Sequence, residues 1–246
     1  MRDRILWINP IGTDCLDVPV KQYLSGFCSP STDLHVVSLE KGPTHLNYGF
    51  HETLVAPEIL QRVIGAEKDG FAGVIVGCFN DTAVLESRAI ARIPVMGPGE
   101  AAHHLASLLG WRWRVIVSQD LCIPKMSNLA ARLGFWPNRA SFQSVKIEVH
   151  DFHEDDESTY RRLLDACTKA VHDDLMEVIV LGCTVLYGYY EQLQQAVGVP
   201  VIDSAVAALK GMESLLEVGR HTRWSFSKRL SYAGPSADEA ERTVQA

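Results

Sequence analysis

Short runs of apolar residues, unbroken by polar positions, recur along the chain. Runs of this kind are typical of strands that are covered on both faces, as in a parallel sheet. The pattern predicts strands at residues 5–8, 34–38, 73–76, 95–96, 114–117, 145–149, 178–181 and 201–202.

Between these runs the apolar residues recur at the spacing of a helix. Such segments lie at residues 60–64, 102–109, 160–170 and 205–216. Asp203-Ser204 precedes the last of them and has the residue types of a helix N-cap. Because strand and helix alternate regularly, the pattern predicts an α/β fold with parallel strands.

A Gly-Cys pair follows an apolar run twice, as Gly77-Cys78 and Gly182-Cys183, with the cysteines 183 − 78 = 105 residues apart. Roughly 16 to 19 residues after each pair, a Pro-Val strand leads into a helix rich in small residues. The shared order and spacing indicate an internal duplication. We predict two similar α/β lobes related by a pseudo-twofold axis. Residues 1–110 plus about 205–230 would form the first lobe, residues 111–204 the second, and residues 231–246 a flexible tail.

Composition narrows the class of protein. The chain has 246 residues, of which 47% are hydrophobic and 22% charged, with a formal net charge of −7. The basic residues are scattered, which argues against nucleic-acid binding. No apolar run approaches the ~20 residues that span a bilayer, and the N-terminus lacks the features of a secretory signal. We therefore expect a cytoplasmic protein without nucleic-acid or membrane partners, and we expect a homo-oligomer that acts on a small molecule.

The six cysteines are too sparse for a disulfide scaffold, and none has CxxC spacing, which argues against zinc and against a thioredoxin-like pair. Four of them are expected to be ordinary core or surface thiols: Cys15, Cys28, Cys122 and Cys167.

Cys78 and Cys183 differ from the others in position. A residue directly after a strand of a parallel sheet lies at the edge where ligands bind. If the lobes are related by a twofold axis, the two thiols face each other across one cleft. They could then remove a proton from one face of a carbon and return one on the other face. The alternative is that each is a small core residue.

A thiol suits proton transfer because its unperturbed pKa is about 8.5. Lowering that pKa by one to two units costs roughly 1.4–2.7 kcal/mol and provides a usable base, while its partner stays protonated as the acid. Helix N-termini and their backbone N–H groups could favour the thiolate and hold a developing enolate. The chain shows neither metal-ligand spacing nor a phosphate loop, so we expect no cofactor.

Several short motifs occur together with these cysteines. In chain order they are Ile8-Asn9-Pro10, Gly42-Pro43, Glu52-Thr53-Leu54-Val55-Ala56-Pro57, Gly77-Cys78-Phe79-Asn80-Asp81, Pro94-Val95-Met96-Gly97, Gly99-Glu100-Ala101-Ala102, Leu181-Gly182-Cys183 and Val199-Pro200-Val201-Ile202-Asp203. With them the chain resembles the aspartate/glutamate/hydantoin racemase superfamily, most closely its hydantoin racemase branch, over roughly residues 5–216.

The resemblance implies a two-lobed α/β fold, with the active site between the lobes and the two cysteines as the bases of a cofactor-free racemisation. It also implies a set of substrate-binding residues: Asn9, Pro10, Tyr48, Phe79, Asn80, Ser118, Gln119 and Thr184.

The chain departs from the hydantoin branch at both cysteines. Asn80-Asp81-Thr82 stands where that branch usually has Gly-Asp-Pro, and Gly182-Cys183-Thr184 is closer to the aspartate and glutamate racemases. Gln119 also replaces a hydroxyl residue. These departures concern the pocket more than the bases, so they bear on the substrate.

Other polar residues have simpler interpretations. Asp81 either orients the Cys78 loop or caps the next helix, and capping is favoured. The run 150–157 (HDFHEDDE) is interpreted as the solvated approach to a helix, in preference to a metal site. His103 and His104 are adjacent on a helix and point in different directions, so they form a poor metal pair.

Three functions follow in order of preference. The first is a cofactor-independent racemase of 5-substituted hydantoins or a related cyclic ureide such as allantoin. The second is an amino-acid racemase or a cis–trans isomerase of a small dicarboxylate, which Gly182-Cys183-Thr184 favours. The third is a non-catalytic small-molecule binding protein built from the same two lobes.

Overall fold

The computed structural model describes residues 2–245, and its chain alternates between strands and helices. The strands are β1 (Asp3–Asn9), β2 (Thr32–Ser38), β3 (Gly73–Val76), β4 (Val95–Met96), β5 (Trp113–Val117), β6 (Ala140–Ser144), β7 (Val178–Leu181) and β8 (Val201–Asp203). The helices are α1 (Asp17–Ser25), α2 (Gly49–Lys68), α3 (Val84–Ile90), α4 (Pro98–Leu109), α5 (Ile123–Arg132), α6 (Asp156–His172), α7 (Tyr190–Val197), α8 (Ser204–Thr222) and α9 (Ala237–Gln245).

The chain divides into two compact units. The first unit comprises Met1–Gly97 and Ala208–Ala246, and the second comprises Pro98–Ala207. The second unit is therefore an insertion within the first. The helix after β4 belongs to the second unit, whereas the sequence places it in the first lobe, and the second boundary lies at Ala207–Ala208 against the predicted one at about residue 205.

Each unit contains one parallel sheet of four strands. The orders are β2-β1-β3-β4 and β6-β5-β7-β8, so each strand of the first sheet has a counterpart four strands later. The registers also correspond, because Ile8 of β1 pairs with Val76 of β3 and Ile116 of β5 pairs with Leu181 of β7. The predicted α/β fold with two similar parallel-sheet units is confirmed.

The two inner strands that carry the Gly-Cys pairs are buried along their whole length. Every residue of β3 and β7 is buried, which explains the unbroken apolar runs in the sequence. In the first unit, α2 covers the sheet with Val55, Ile59 and Val63. Burying each of these side chains stabilises the fold by roughly 1.5–3 kcal/mol.

The strand predicted at residues 145–149 is wrong. The chain pairs with β5 at Ala140–Ser144 instead, and residues 145–148 lie outside the strand, with a left-handed backbone at Lys146 (φ 57°). β6 is the edge strand of its sheet, and only its first residue is buried. An edge strand needs few apolar residues, so the pattern pointed to the more apolar segment that follows.

The C-terminal segment also differs from the flexible tail that the sequence predicts. Helix α9 packs on α2, and its Ala240 is buried. Lys68 forms an ion pair with Glu241 at 2.5 Å, and Gln61 Nε2 donates to the carbonyl oxygen of Val244 at 2.6 Å. A single small apolar contact and a few polar ones hold this helix, which is why composition alone suggested no anchor. Ala246 lies outside the described residues.

Within residues 2–245, none of the helices combines the length and the apolar character required to cross a lipid bilayer.

His103 is a fully buried residue of α4. Its Nδ1 accepts a hydrogen bond of 2.9 Å from the indole Nε1 of Trp113 on β5. Burial, with a smaller effect of the neighbouring His104, lowers the pKa of His103 from 6.5 to about 4. The neutral ring is therefore part of the core, while His104 is exposed, as expected of adjacent residues on a helix.

This burial predicts that acid destabilises the fold through His103. Its pKa in the folded state lies below that of the unfolded chain, so the stabilisation is complete above pH 6.5 and declines as the pH falls towards 4. Between pH 7.5 and pH 5 the loss should reach about 2 kcal/mol. His103→Gln keeps an acceptor for Trp113 but cannot become charged. It should lose about 2 kcal/mol less over this range, as measured by urea unfolding.

His104→Gln is the matched control and should follow the wild type at both pH values. Equal pH dependence of the wild type and of His103→Gln would show that protonation of His103 does not destabilise the fold.

Candidate active site

The strand order of each sheet determines where a ligand can bind. In the first unit the chain runs from β1 outwards to β2 and then crosses back to β3 on the other side of β1. Ligands of such sheets bind beyond the carboxyl ends of the two strands at this switch point. Asn9 ends β1, and Gly77-Cys78 follows β3, so these residues lie at the switch point of the first unit.

Gly77 is required by its contact with the neighbouring strand. Its N–H donates to the carbonyl oxygen of Ile8 at 2.8 Å, which continues the sheet pairing. A Cβ atom at this position would lie 2.3 Å from the indole Nε1 of Trp7. Only glycine lets the chain pass this buried ring, and Cys78 comes next. Cys78 is partly exposed at this edge of the sheet and also packs against the apolar core of the first unit.

A hydrogen-bond network fixes the side chain of Asn9. Trp7 Nε1 donates to Asn9 Oδ1 at 2.8 Å, and Asn9 Nδ2 donates to Asp17 Oδ1 at 2.8 Å. Ser38, at the end of β2, donates to the same carboxylate oxygen at 2.6 Å. Asp17 and Ser38 gave no signal in the sequence, because sheet pairing brings Ser38, and the packing of α1 on β2 brings Asp17, beside Asn9. The network fixes the orientation of the Asn9 side-chain amide and links β1, β2 and α1 at the carboxyl end of the sheet.

The loop after Cys78 has an unusual backbone. Asp81 and Ala83 are non-glycine residues with φ of 54° and 56°, and such conformations cost of order 1–3 kcal/mol and cluster at functional sites. The Asp81 N–H donates to the Cys78 carbonyl oxygen at 2.9 Å. A Cβ atom at Gly97 would lie 2.1 Å from Asp81 Oδ1, so the carboxylate rests against the backbone after β4.

The favoured capping role of Asp81 for the next helix is wrong. The N-cap of α3 is Ala83, whose methyl group cannot accept a hydrogen bond. The left-handed backbone at Asp81 and Ala83 places the helix start two residues further along than the residue types suggested.

The two residues between Cys78 and Asp81 have different environments. Phe79 is buried, and Asn80 is partly exposed, with its Nδ2 donating to Glu52 Oε1 on α2 at 3.1 Å. Pro10 is buried directly after β1. Tyr48 is the N-cap residue of α2 and is exposed, with its ring beside those of Phe50 and two histidines.

The second unit repeats the arrangement around its own cysteine. The Gly182 N–H donates to the carbonyl oxygen of Ile116 at 2.8 Å, as Gly77 does to Ile8. A Cβ atom at Gly182 would lie 2.6 Å from Val115 Cγ1 and 2.9 Å from the Ile116 carbonyl oxygen. Cys183 is partly exposed at the carboxyl end of β7, and Thr184 beside it is buried. The duplication seen in the sequence therefore extends to the local contacts of the glycine that precedes each cysteine.

Ser118 and Gln119 follow β5, at the switch point of the second unit. Ser118 is buried, with its Oγ 3.5 Å from Cys122 Sγ. Gln119 Nε2 donates to Glu148 Oε1 at 3.1 Å. Both residues thus lie on the edge that carries Cys183, as the sequence predicts, and Gln119 contacts the segment after β6.

Asp203 ends β8 and starts α8. Its Oδ1 accepts hydrogen bonds from the N–H groups of Ala205 at 2.8 Å and Val206 at 3.1 Å, which confirms the predicted cap. Ser204 Oγ and Thr82 Oγ1 are buried and, among the described residues, make no hydrogen bond. Buried hydroxyl groups are nearly always paired, so these two are exceptions within the described residues. The residue types of Ser204 and Thr82 alone do not indicate that their hydroxyl groups are buried.

The other cysteines are less suited to catalysis. Cys167 lies on the buried face of α6, and burial raises the pKa of its thiol to about 12. Burial is also the largest effect that raises the pKa of Cys28. Cys122 is buried, and Cys15 is exposed on the segment before α1.

The run 150–157 leads into α6, as predicted. Asp155 is the N-cap, and its Oδ1 accepts the N–H of Ser158 at 3.0 Å. Asp156 and Glu157 occupy the first turn, where negative charge is favourable.

Comparison with known proteins gives the family. The family model described as Asp/Glu/Hydantoin racemase matches residues 5–212. The chain belongs to this family. The chain is 30% identical to the hydantoin racemase of Paenarthrobacter aurescens over 234 residues, which cover 95% of this chain and 98% of the relative. The predicted family is confirmed, and the protein is an isomerase of the racemase type.

Two solved structures are similar to the racemase over nearly its whole length. The allantoin racemase from Klebsiella pneumoniae matches with a TM-score of 0.88 and 26% identity, covering 95% of this chain and 94% of that one. The allantoin racemase from Pseudomonas fluorescens matches with a TM-score of 0.87 and 28% identity, covering 94% and 97%. The non-catalytic alternative is therefore set aside.

The glycine contact at Gly77 predicts a large loss of stability on Gly77→Ala. The new methyl group would overlap the buried Trp7 ring, and overpacking of this kind typically costs about 1–3 kcal/mol. The free energy of unfolding from urea titration measures the effect.

Gly65→Ala is the matched control. Gly65 lies within α2 with open space around its Cα, so alanine should stabilise the helix by about 0.5–1 kcal/mol. An unchanged stability of Gly77→Ala would show that the Trp7 ring can move away and that glycine is not required.

Proposed function

We propose that the chain is a cofactor-independent racemase of 5-substituted hydantoins or a related cyclic ureide such as allantoin, with Cys78 and Cys183 as its two bases. One observation carries the proposal: each thiol follows a buried inner strand of its sheet, after a glycine that contacts the neighbouring strand. The matched positions are expected of two groups with related roles. Two unrelated core cysteines have no reason to share them.

The chemistry that we propose is a proton transfer across one carbon. One cysteine, as the thiolate, takes the proton from the ring carbon next to the carbonyl. The other, as the thiol, donates a proton to the opposite face, which inverts the centre. The negative charge passes to the ring carbonyl oxygen as an enolate, which backbone N–H groups can stabilise. The mechanism requires both sulfur atoms to reach the same substrate carbon.

The substrate would be held by the polar groups at the carboxyl ends of the strands. In this proposal Asn9, Asn80 and Thr184 offer amide and hydroxyl groups, and Ser118 and Gln119 bind the ring or a carboxylate. Ser204 and Thr82 join them through hydroxyl groups that are buried and unpartnered within the described residues. Pro10 and Phe79 would form the apolar surface, and Tyr48 would close over the substrate.

The names of the relatives support a cyclic substrate. The similar proteins described above are a hydantoin racemase and two allantoin racemases. Hydantoin and allantoin both contain a ring carbon between a nitrogen and a carbonyl group, and this carbon loses its proton readily because the carbanion is an enolate.

A second candidate is an amino-acid racemase of the aspartate or glutamate type, or a cis–trans isomerase of a small dicarboxylate. Thr184 beside Cys183 favours it, because this pair resembles those racemases and its buried hydroxyl can bind a carboxylate. The relatives' names favour the cyclic substrate, which we therefore place first.

The two-base mechanism predicts a specific labelling pattern in D2O. Each thiol delivers only a solvent-derived proton to its own face, so deuterium should enter the product enantiomer before it enters the remaining substrate. We expect Cys78→Ser and Cys183→Ser each to lower the racemisation rate by at least about 10²–10⁴-fold. ¹H NMR and chiral chromatography of a 5-substituted hydantoin, allantoin, aspartate and glutamate measure the exchange and identify the substrate.

Cys28→Ser is the matched control, since this partly exposed cysteine lies in the connection that leads into β2, at the opposite edge of the sheet from Cys78, and its rate should equal that of the wild type. Full activity of Cys78→Ser or Cys183→Ser would exclude the two-base mechanism. Turnover of aspartate or glutamate with no turnover of either cyclic ureide would favour the second candidate.

A further inference from the structure

The approach to α6 also contacts the loop that follows Cys183. His153 lies in this approach, and its Nε2 is 2.8 Å from the carbonyl oxygen of Val185. Val185 belongs to a turn in which the Leu186 N–H donates to the Cys183 carbonyl oxygen at 3.0 Å. One hydrogen bond therefore connects His153 to the turn that begins with the proposed base.

Two aromatic rings from the loop that follows Cys183 stack on the ring of His153. Its ring stacks on Tyr187 with centroids 4.5 Å apart and an interplanar angle of 27°. It also stacks on Tyr189 with centroids 5.5 Å apart and an angle of 11°. Tyr187 and Tyr189 lie four and six residues after Cys183, so the imidazole packs against the loop that follows this cysteine.

Asp156, in the first turn of α6, completes the arrangement. Its Oδ1 is 3.1 Å from His153 Nδ1 and accepts a hydrogen bond of 2.5 Å from the Tyr189 hydroxyl group. The Tyr189 hydroxyl, and less strongly His153, lowers the pKa of Asp156, so the carboxylate is the stable form. The Tyr189 hydroxyl also lies 2.8 Å from the carbonyl oxygen of Phe152.

Both ring nitrogens of His153 thus face acceptors, a carbonyl oxygen on one side and a carboxylate on the other. His153 therefore bridges the start of α6 and the Cys183 turn, and its stacking partners hold the ring in the plane that both bonds require.

We propose that His153 is a positioning residue for Cys183, which it holds at the carboxyl end of β7 through Val185, with Asp156 orienting the ring. The inference rests on the proposed role of Cys183 as a base. It gives the histidine- and acid-rich run 150–157 a function beyond the capping of α6.

Three variants test this role. His153→Ala removes both hydrogen bonds and the stacking. His153→Gln keeps a side-chain amide that can donate to the Val185 carbonyl oxygen. His150→Ala is the matched control, because His150 lies three residues away, is exposed and pairs with Asp151 at 3.2 Å. The turnover number and KM come from racemisation assays, and iodoacetamide labelling followed by peptide mass spectrometry gives the alkylation rate of each cysteine.

We expect His153→Ala to lower kcat by about 10- to 100-fold with KM changed less than about threefold, because misplacing a reacting group affects the chemical step. The alkylation rate of Cys183 should rise by at least about threefold, since the released loop exposes the thiol, while that of Cys78 stays constant. His153→Gln should recover at least about a third of the wild-type kcat, and His150→Ala should match the wild type.

Wild-type kcat and wild-type Cys183 alkylation in His153→Ala would overturn the proposal. An equal rise at Cys78 and Cys183 would do the same, because it would indicate general loosening of the fold. If His153→Ala does not fold, His153→Gln decides the question. A kcat of His153→Gln as low as that of Cys183→Ser would contradict positioning through the hydrogen bond to the Val185 carbonyl oxygen. Retained racemisation in Cys183→Ser would refute the proposed function separately, while the alkylation rates would still report whether His153 holds the loop.

Discussion

The contact between a glycine and the neighbouring strand is the constraint on which the rest of the site depends. At Gly77 and at Gly182 the chain passes so close to its partner strand that no Cβ atom fits. In both units the glycine N–H still donates to the carbonyl oxygen of the partner strand at 2.8 Å. The strand therefore stays paired to its last residue, and the cysteine that follows emerges from a rigid, buried sheet. A reacting group positioned in this way needs little rearrangement to meet its substrate.

Different supports surround the two cysteines, although their backbones correspond. The Cys78 loop depends on left-handed residues at Asp81 and Ala83 and on the contact of Asp81 with Gly97. The Cys183 loop is instead connected to the start of α6 through His153. Duplication thus explains the shared sheet geometry. The loops after Cys78 and Cys183 are held in place by different contacts. This asymmetry is expected if the two thiols act on opposite faces of an asymmetric substrate.

Much of the fold could be predicted from the sequence, because inner strands have a strong signal. β3 and β7 are buried on both faces, so their residues form unbroken apolar runs, and the repeated Gly-Cys pair located the switch points. The edge strand β6 was misplaced, since only one of its five residues is buried. The Trp7–Asn9–Asp17–Ser38 network could not be predicted, because strand pairing brings Ser38 beside Asn9 and the packing of α1 brings Asp17 there. Ser204 and Thr82 were missed for a similar reason, as only packing shows that their hydroxyl groups are buried.

The insertion of the second unit within the first has a consequence for synthesis on the ribosome. Residues 98–207 form an uninterrupted stretch and can fold as soon as they emerge. The first unit begins earlier but must wait for its last segment, which supplies Met212 against Gly73 and Glu213 as the acceptor for Thr32 at 2.6 Å. The sheet whose strands emerge first is thus the last to receive all of its packing partners. Until α8 is synthesised, β3 lacks the cover of Met212 and Thr32 lacks its acceptor Glu213.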